Sequence, residues 1–174
     1  THCISSAASD VYKRQGLTVH ERGKDGYYAV IPRTSKFYQP HQAFINPGTL
    51  DIEALLHEKL VLSPRGSSIR RQVDYLLQKY HITPEIVVES TNTFTIAKLA
   101  EKGLGITFLP DSVYVQPDGD AYNLYPLPAS LLSLNYFIAF ANTHQLSQNE
   151  QDLITIFLTN LEASLAEIAS LSPE

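Results

Sequence analysis

Residues 60–110 read LVLSPRGSSIRRQVDYLLQKYHITPEIVVESTNTFTIAKLAEKGLGITFLP, and the punctuation of this stretch decides the fold class. Leu60-Val61-Leu62 is a short apolar strand, followed by the turn-rich Ser63-Pro64-Arg65-Gly66-Ser67-Ser68. Ile69, Val73, Leu76, Leu77 and Tyr80 then recur at spacings of three to four, which predicts a helix. Pro84 breaks it before a second strand, Ile86-Val87-Val88. Asn92 suits the N-cap of a second helix and Gly103 suits its left-handed stop. Gly105-Ile106-Thr107-Phe108-Leu109 is a third strand, halted by Pro110. A β-α-β-α-β order with short connections predicts parallel strands joined by right-handed crossovers, hence an α/β fold.

Working outward, Tyr27-Tyr28-Ala29-Val30-Ile31 is aromatic and β-branched and stops at Pro32, as a strand does. Residues 33–48 are loop-like, and Thr49 is expected to cap a short helix whose first turn carries Asp51 and Glu53. Residues 111–132 read as less regular, with Pro117, Asp118-Gly119, Pro126 and Pro128 marking turns. Tyr136-Phe137-Ile138-Ala139-Phe140 is a further strand. Ser147 and Glu150 form a capping box, since hydroxyl and carboxylate satisfy each other's free N–H groups. The helix beyond it sets Leu153, Ile154, Phe157, Leu158, Leu161 and Leu165 on one stripe.

Composition narrows the function. The chain has 174 residues, 44% hydrophobic and 18% charged, which is a globular mix. Its net charge of −5 makes it a poor duplex-DNA binder on its own, because phosphate affinity comes from clustered cations. Cys3 is the sole cysteine, so neither an intrachain disulfide nor a cysteine-based zinc site can form. No apolar run reaches the roughly 18 residues of a membrane-spanning helix. The sequence starts at Thr1 and holds no methionine, so it is expected to be a fragment of a longer protein. Residues 1–15 lack the basic start and apolar run of a signal peptide. They resemble translated adaptor read-through; the other reading is a genuine N-terminal arm.

Chemistry-bearing motifs are few. The six histidines fall in no metal-ligand spacing, and neither a Gly-x-Ser-x-Gly elbow nor a Walker loop occurs. No metal, cofactor or catalytic residue is therefore expected. Gly103-Leu104-Gly105 closes a helix and opens a strand, the reverse of a dinucleotide fingerprint. Two loops are better candidates. Arg65, Gly66, Ser67 and Ser68 lie after a strand and before a helix, and Ser90, Thr91, Asn92 and Thr93 repeat that placement one βα unit later. In a parallel sheet both would open on the carboxyl edge, where ligands bind. Hydroxyls, an arginine and helix N-termini suit a small anion such as a carboxylate. The competing reading is that both are ordinary loops with N-caps.

Glu89-Ser90-Thr91, a helix, and Lys98 through Pro110 together resemble the effector-domain signature of LysR-type transcriptional regulators. A valine-alanine-alanine-glycine-leucine-glycine stretch running to a proline occupies that place in the family. Residues 60–90, with their Arg70-Arg71 helix and Ile82-Thr83-Pro84, fit as well, and the likeness extends over roughly residues 16–165. The resemblance implies a type 2 periplasmic-binding-protein-like fold of two lobes with the effector in the cleft between them. It implies a complete second lobe over residues 46–133 and a truncated first lobe left as residues 16–45 and 134–165, with 166–174 as a tail.

The resemblance also implies effector contacts from the loop matching Ser63–Ser68 and the stretch matching Ser90–Thr93, carried over to Arg65, Ser67, Ser68, Thr91 and Asn92; Gly66, Ser90 and Thr93 complete the candidate set. Arg65 is not a fixed family feature, so the resemblance carries an effector site rather than the effector's charge. The expected protein is not an enzyme and works in the cytoplasm without a membrane. It binds a small-molecule effector, forms homodimers or higher homo-oligomers, and touches DNA only through an N-terminal helix-turn-helix outside this sequence. A transporter's solute-binding protein and an enzyme on the same fold are the alternatives. For the enzyme, no arginine of the chain lies between threonine and phenylalanine, as the catalytic motif of prephenate dehydratase would need.

Overall fold

The computed structural model describes residues 16–171; segment 1–15, with its adaptor-like reading, and residues 172–174 lie outside the described residues. In chain order the elements are β1 (Leu17–Asp25), β2 (Tyr27–Pro32), α1 (Ile52–Leu56), β3 (Lys59–Leu62), α2 (Ser68–Lys79) and β4 (Glu85–Glu89). Then follow α3 (Thr93–Glu101), β5 (Thr107–Pro110), β6 (Tyr122–Leu127), β7 (Leu134–Ala141) and α4 (Gln148–Leu171). They divide into two compact units, one spanning Gly26–Ser133 and the other built from the described residues before and after it.

In the Gly26–Ser133 unit, β3 and β4 pair in parallel, with Leu62 opposite Glu89 at their ends. A parallel bridge between Leu60 and Ile106 joins β3 to the start of β5, where the Ile106 N–H donates to the Lys59 carbonyl at 2.8 Å. The three strands expected to be parallel are therefore parallel. On its other side β5 pairs antiparallel with β2, and β2 pairs antiparallel with β6. β2 is buried along its whole length, which accounts for its unbroken apolar run.

Strand β2 hydrogen-bonds to β5 and β6, and its compact unit begins at Gly26. Two expectations need correction. Residues 111–132 are not irregular throughout, because β6 occupies Tyr122–Leu127. Its Pro126 cannot donate to a ladder, and it is tolerated because β6 is an edge strand, paired with β2 on one side and bridged only at Leu124, to Phe44, on the other. The cap of α1 is Asp51, whose Oδ1 accepts from the Glu53 N–H at 3.0 Å, while the Thr49 hydroxyl donates to the Asn46 carbonyl.

Helix α3 presents Ile96, Ala97 and Ala100 to a cluster that includes Tyr28, Val30, Val61, Leu109, Tyr122 and Leu124. The strand period of two turns Tyr27, Ala29 and Ile31 to the opposite face, and these too are buried. Burying each Ile or Leu side chain contributes about 1.5–3 kcal/mol. α3 ends at Gly103 (φ +94°), where the Gly103 N–H reaches the Ala100 carbonyl and the Leu104 N–H reaches Leu99. At Gly105 a Cβ would run into the Lys59 carbonyl oxygen. The first glycine of Gly-Leu-Gly thus stops a helix, and the second lets β5 lie against β3.

In the other unit, β1 and β7 form a two-stranded antiparallel ladder from Leu17–Ala141 to Asp25–Leu134, with an irregularity between Glu21 and Gly23. The sequence gives little sign of β1, since His20, Glu21, Arg22 and Lys24 interrupt its apolar alternation. The capping box of α4 is present: the Ser147 N–H and hydroxyl both donate to Glu150 Oε2 at 2.8 Å, and the Glu150 N–H donates back to Ser147 Oγ. Residues 166–171, expected as tail, continue this helix. Leu153, Ile156 and Phe157 on it are exposed.

Candidate functional site

Because β3 and β4 are parallel neighbours, their carboxyl ends lie on one edge, about 4.8 Å apart across the ladder. The Ser90 N–H donates to the Leu62 carbonyl at 3.2 Å, so the chain leaving β4 is held beside the chain leaving β3. Each then runs through a short polar loop into a helix, α2 after the first and α3 after the second. Arg65, Gly66, Ser67 and Ser68 therefore share an edge with Ser90, Thr91, Asn92 and Thr93.

Part of this polar set holds the loops themselves. Ser67 Oγ accepts from the Arg70 N–H at 3.1 Å as the N-cap of α2, and Asn92 Oδ1 accepts from the Thr95 N–H at 3.1 Å as the N-cap of α3. Ser90 Oγ accepts from the Asn92 N–H at 3.2 Å. Gly66, at φ +97°, takes the left-handed turn, and its carbonyl accepts from Arg71 Nη2 at 3.0 Å. The side chains of Arg65, Ser68, Thr91 and Thr93 make no hydrogen bond to any of the described residues. Arg65 and Thr91 are exposed, and Ser68 and Thr93 half-buried. The edge thus offers free hydroxyls, one free guanidinium and the first N–H groups of two helices, a donor-rich surface suited to an oxygen-bearing or anionic small molecule.

Sequence reasoning missed Arg70. It lies on the buried face of α2 with Val73, Leu76 and Leu77, and its side chain is 2% exposed. Its Nε donates to Asp74 Oδ1 at 2.7 Å, and its Nη1 donates to the Ser63 carbonyl at 3.0 Å and to Glu89 Oε1. Burial alone would lower the Arg70 pKa, but the hydrogen bonds and charges of Asp74 and Glu89 outweigh it and hold it above its ordinary value. The available signal was an arginine three residues before Val73 and seven before Leu77, the spacing of a core-facing position.

Three of the histidines play local parts. His57 ends α1, His41 Nδ1 sits 3.1 Å from Asp120, and His144 Nε2 sits 2.9 Å from Glu150. Among the described residues no group of three metal-ligating side chains occurs, and no helix is long and apolar enough to cross a membrane.

Comparison with known proteins gives a consistent result. The LysR substrate binding domain family matches residues 14–162. A curated relative, an uncharacterized HTH-type transcriptional regulator YybE of Bacillus subtilis strain 168, is 33% identical over 63 residues, 36% of this chain and 22% of the relative. The regulatory domain of Synechocystis PCC6803 CcmR in complex with 2-PG superposes with TM-score 0.63 at 16% identity, over 90% of this chain and 70% of that one. The effector binding domain of QuiR in complex with shikimate does so with TM-score 0.64 at 13% identity, over 89% of this chain and 68% of that one. These likenesses establish a type 2 periplasmic-binding-protein-like α/β fold. With its family match spanning most of the sequence, the chain belongs to the LysR substrate binding domain family.

Proposed function

We propose that this chain is the effector-binding domain of a LysR-type transcriptional regulator, and that a small metabolite binds at the edge shared by the loops after β3 and β4. The observation that carries the reading is this pairing: two polar loops on one edge, with the side chains of Arg65, Ser68, Thr91 and Thr93 making no hydrogen bond among the described residues. Gly66, Ser67, Ser90 and Asn92 complete the set, the last three with their side chains committed to loop geometry. The ligands of CcmR and QuiR, 2-PG and shikimate, support a small-molecule effector. Arg65 and the two helix N-termini favour one with a carboxylate or another anionic group.

DNA would be read by a helix-turn-helix outside this chain, in a cytoplasmic homo-oligomer. The effector would change its behaviour only through different affinities for two states. We place residues 16–25 and 134–165 with the family's first lobe.

A thermal-shift screen against a metabolite library tests the reading. An effector at a hundredfold excess over its Kd adds about 2.7 kcal/mol of stability. A binder whose shift disappears in the Ser68→Ala/Thr91→Ala double variant supports the site. A binder indifferent to that variant, or the lack of any binder, overturns it.

A further inference from the structure

We propose that Arg70 is the positioning residue of this edge, the side chain that fixes the loop after β3 against the loop after β4. It touches the start of both. Its Nη1 holds the Ser63 carbonyl, the last acceptor before Pro64-Arg65-Gly66, and also holds Glu89 Oε1, the residue just before Ser90-Thr91-Asn92. Its backbone N–H meets Ser67 Oγ, the cap of the first loop's helix. Among the described residues, the Arg70–Glu89 ion pair, from α2 to β4, is the side-chain link between the two loops at this edge; the ion pair that joins β3 to β4 directly, Lys59–Glu85, lies at the opposite ends of those strands.

The guanidinium suits this task physically. It is planar, so acceptors bonded to it keep a fixed angular relation, which a lysine ammonium would not impose. It is buried, so releasing a partner strands a charge out of water rather than returning it to solvent. The two carboxylates have separate parts. Asp74 belongs to α2 itself, at i+4, and orients the guanidinium without connecting elements. Glu89 belongs to β4 and makes the connection. An effector gripped by both loops reads their separation, and this consequence rests on the effector-site reading. The link itself does not.

Amide hydrogen exchange of the intact 174-residue chain tests the link without ligand. Two amides report the loops: the Arg71 N–H, bonded to the Ser67 carbonyl, and the Ser90 N–H, bonded to the Leu62 carbonyl. Glu89→Gln is expected to lower protection of both about tenfold, the scale of losing one charge-assisted bond. Asp74→Asn is expected to leave Ser90 unchanged, and the Ile96 and Ala100 amides of α3 should not move in either variant. Unchanged Ser90 protection in Glu89→Gln, an equal loss in Asp74→Asn, or a uniform loss across the unit would each overturn the proposal. Glu89 is partly exposed and Gln is isosteric, so this variant removes the charge of the link without emptying a core position. If no metabolite binds while the exchange pattern holds, the effector reading fails alone. If a metabolite binds at both loops and the pattern does not hold, the Arg70 proposal fails alone.

Discussion

The Gly26–Ser133 unit and the unit formed by β1, β7 and α4 solve the burial problem to different degrees. The first sets α3 on strands that are buried along their length, and its one buried charge, Arg70, has three acceptors. The second has, among its described residues, a two-stranded ladder, which on its own is marginal in water, and a long helix that exposes Leu153, Ile156 and Phe157. A polar edge that must grip a ligand needs rigid support beneath it, and the candidate loops stand on the unit that has such support.

Ile96→Ala removes a fully buried side chain and is expected to cost roughly 2–5 kcal/mol by denaturant unfolding. Leu153→Ala on α4, where the residue is 66% exposed, should stay within about 0.5 kcal/mol. Equal effects would break the contrast. Gly105→Ala drives a methyl into the Lys59 carbonyl and should lower stability by roughly 1–3 kcal/mol in a circular-dichroism melt. Asn92→Ala removes the α3 cap and should cost about 1 kcal/mol, with fraying seen at the Thr95 amide.

The exposed apolar face makes its own prediction: the 174-residue chain should self-associate or aggregate as concentration rises, with onset delayed in Leu153→Ser/Phe157→Ser. Monomeric material with a single sharp melt, followed by light scattering, would contradict this. The smallest effect concerns acid. Ser147's backbone N–H and hydroxyl, together with His144, hold the Glu150 carboxyl down at about 2. The folded value is depressed, so the cap's contribution is present above the unfolded value of about 4.3 and is lost as pH falls through about 2. A carboxyl NMR titration should show this low midpoint, rising in Ser147→Ala.

Legibility in the sequence followed the same division. Residues 60–110 could be read because helix period, caps and strand ends agree there; Ser67, Asn92 and Gly103 sit where local chemistry places them. Strand β1 could not, because its charged residues mask a period of two, and β6 could not, because Pro126 argues against a strand until a one-sided partner is known. The placement of Tyr27–Pro32 depends on pairing with β5 and β6, which are remote in sequence and which no local pattern encodes. At the site, the loops were legible as polar βα turns. Arg70 was not, since its role depends on Ser63 and Glu89, which only the fold brings to it.

The measurement closest to the central claim is a two-dimensional amide NMR titration of the chain with a metabolite selected by thermal shift. The account predicts that the amides of Ser67, Ser68, Thr91 and Thr93 shift together and saturate at one ligand concentration. Shifts limited to one loop, or confined to β1, β7 and α4, would contradict it.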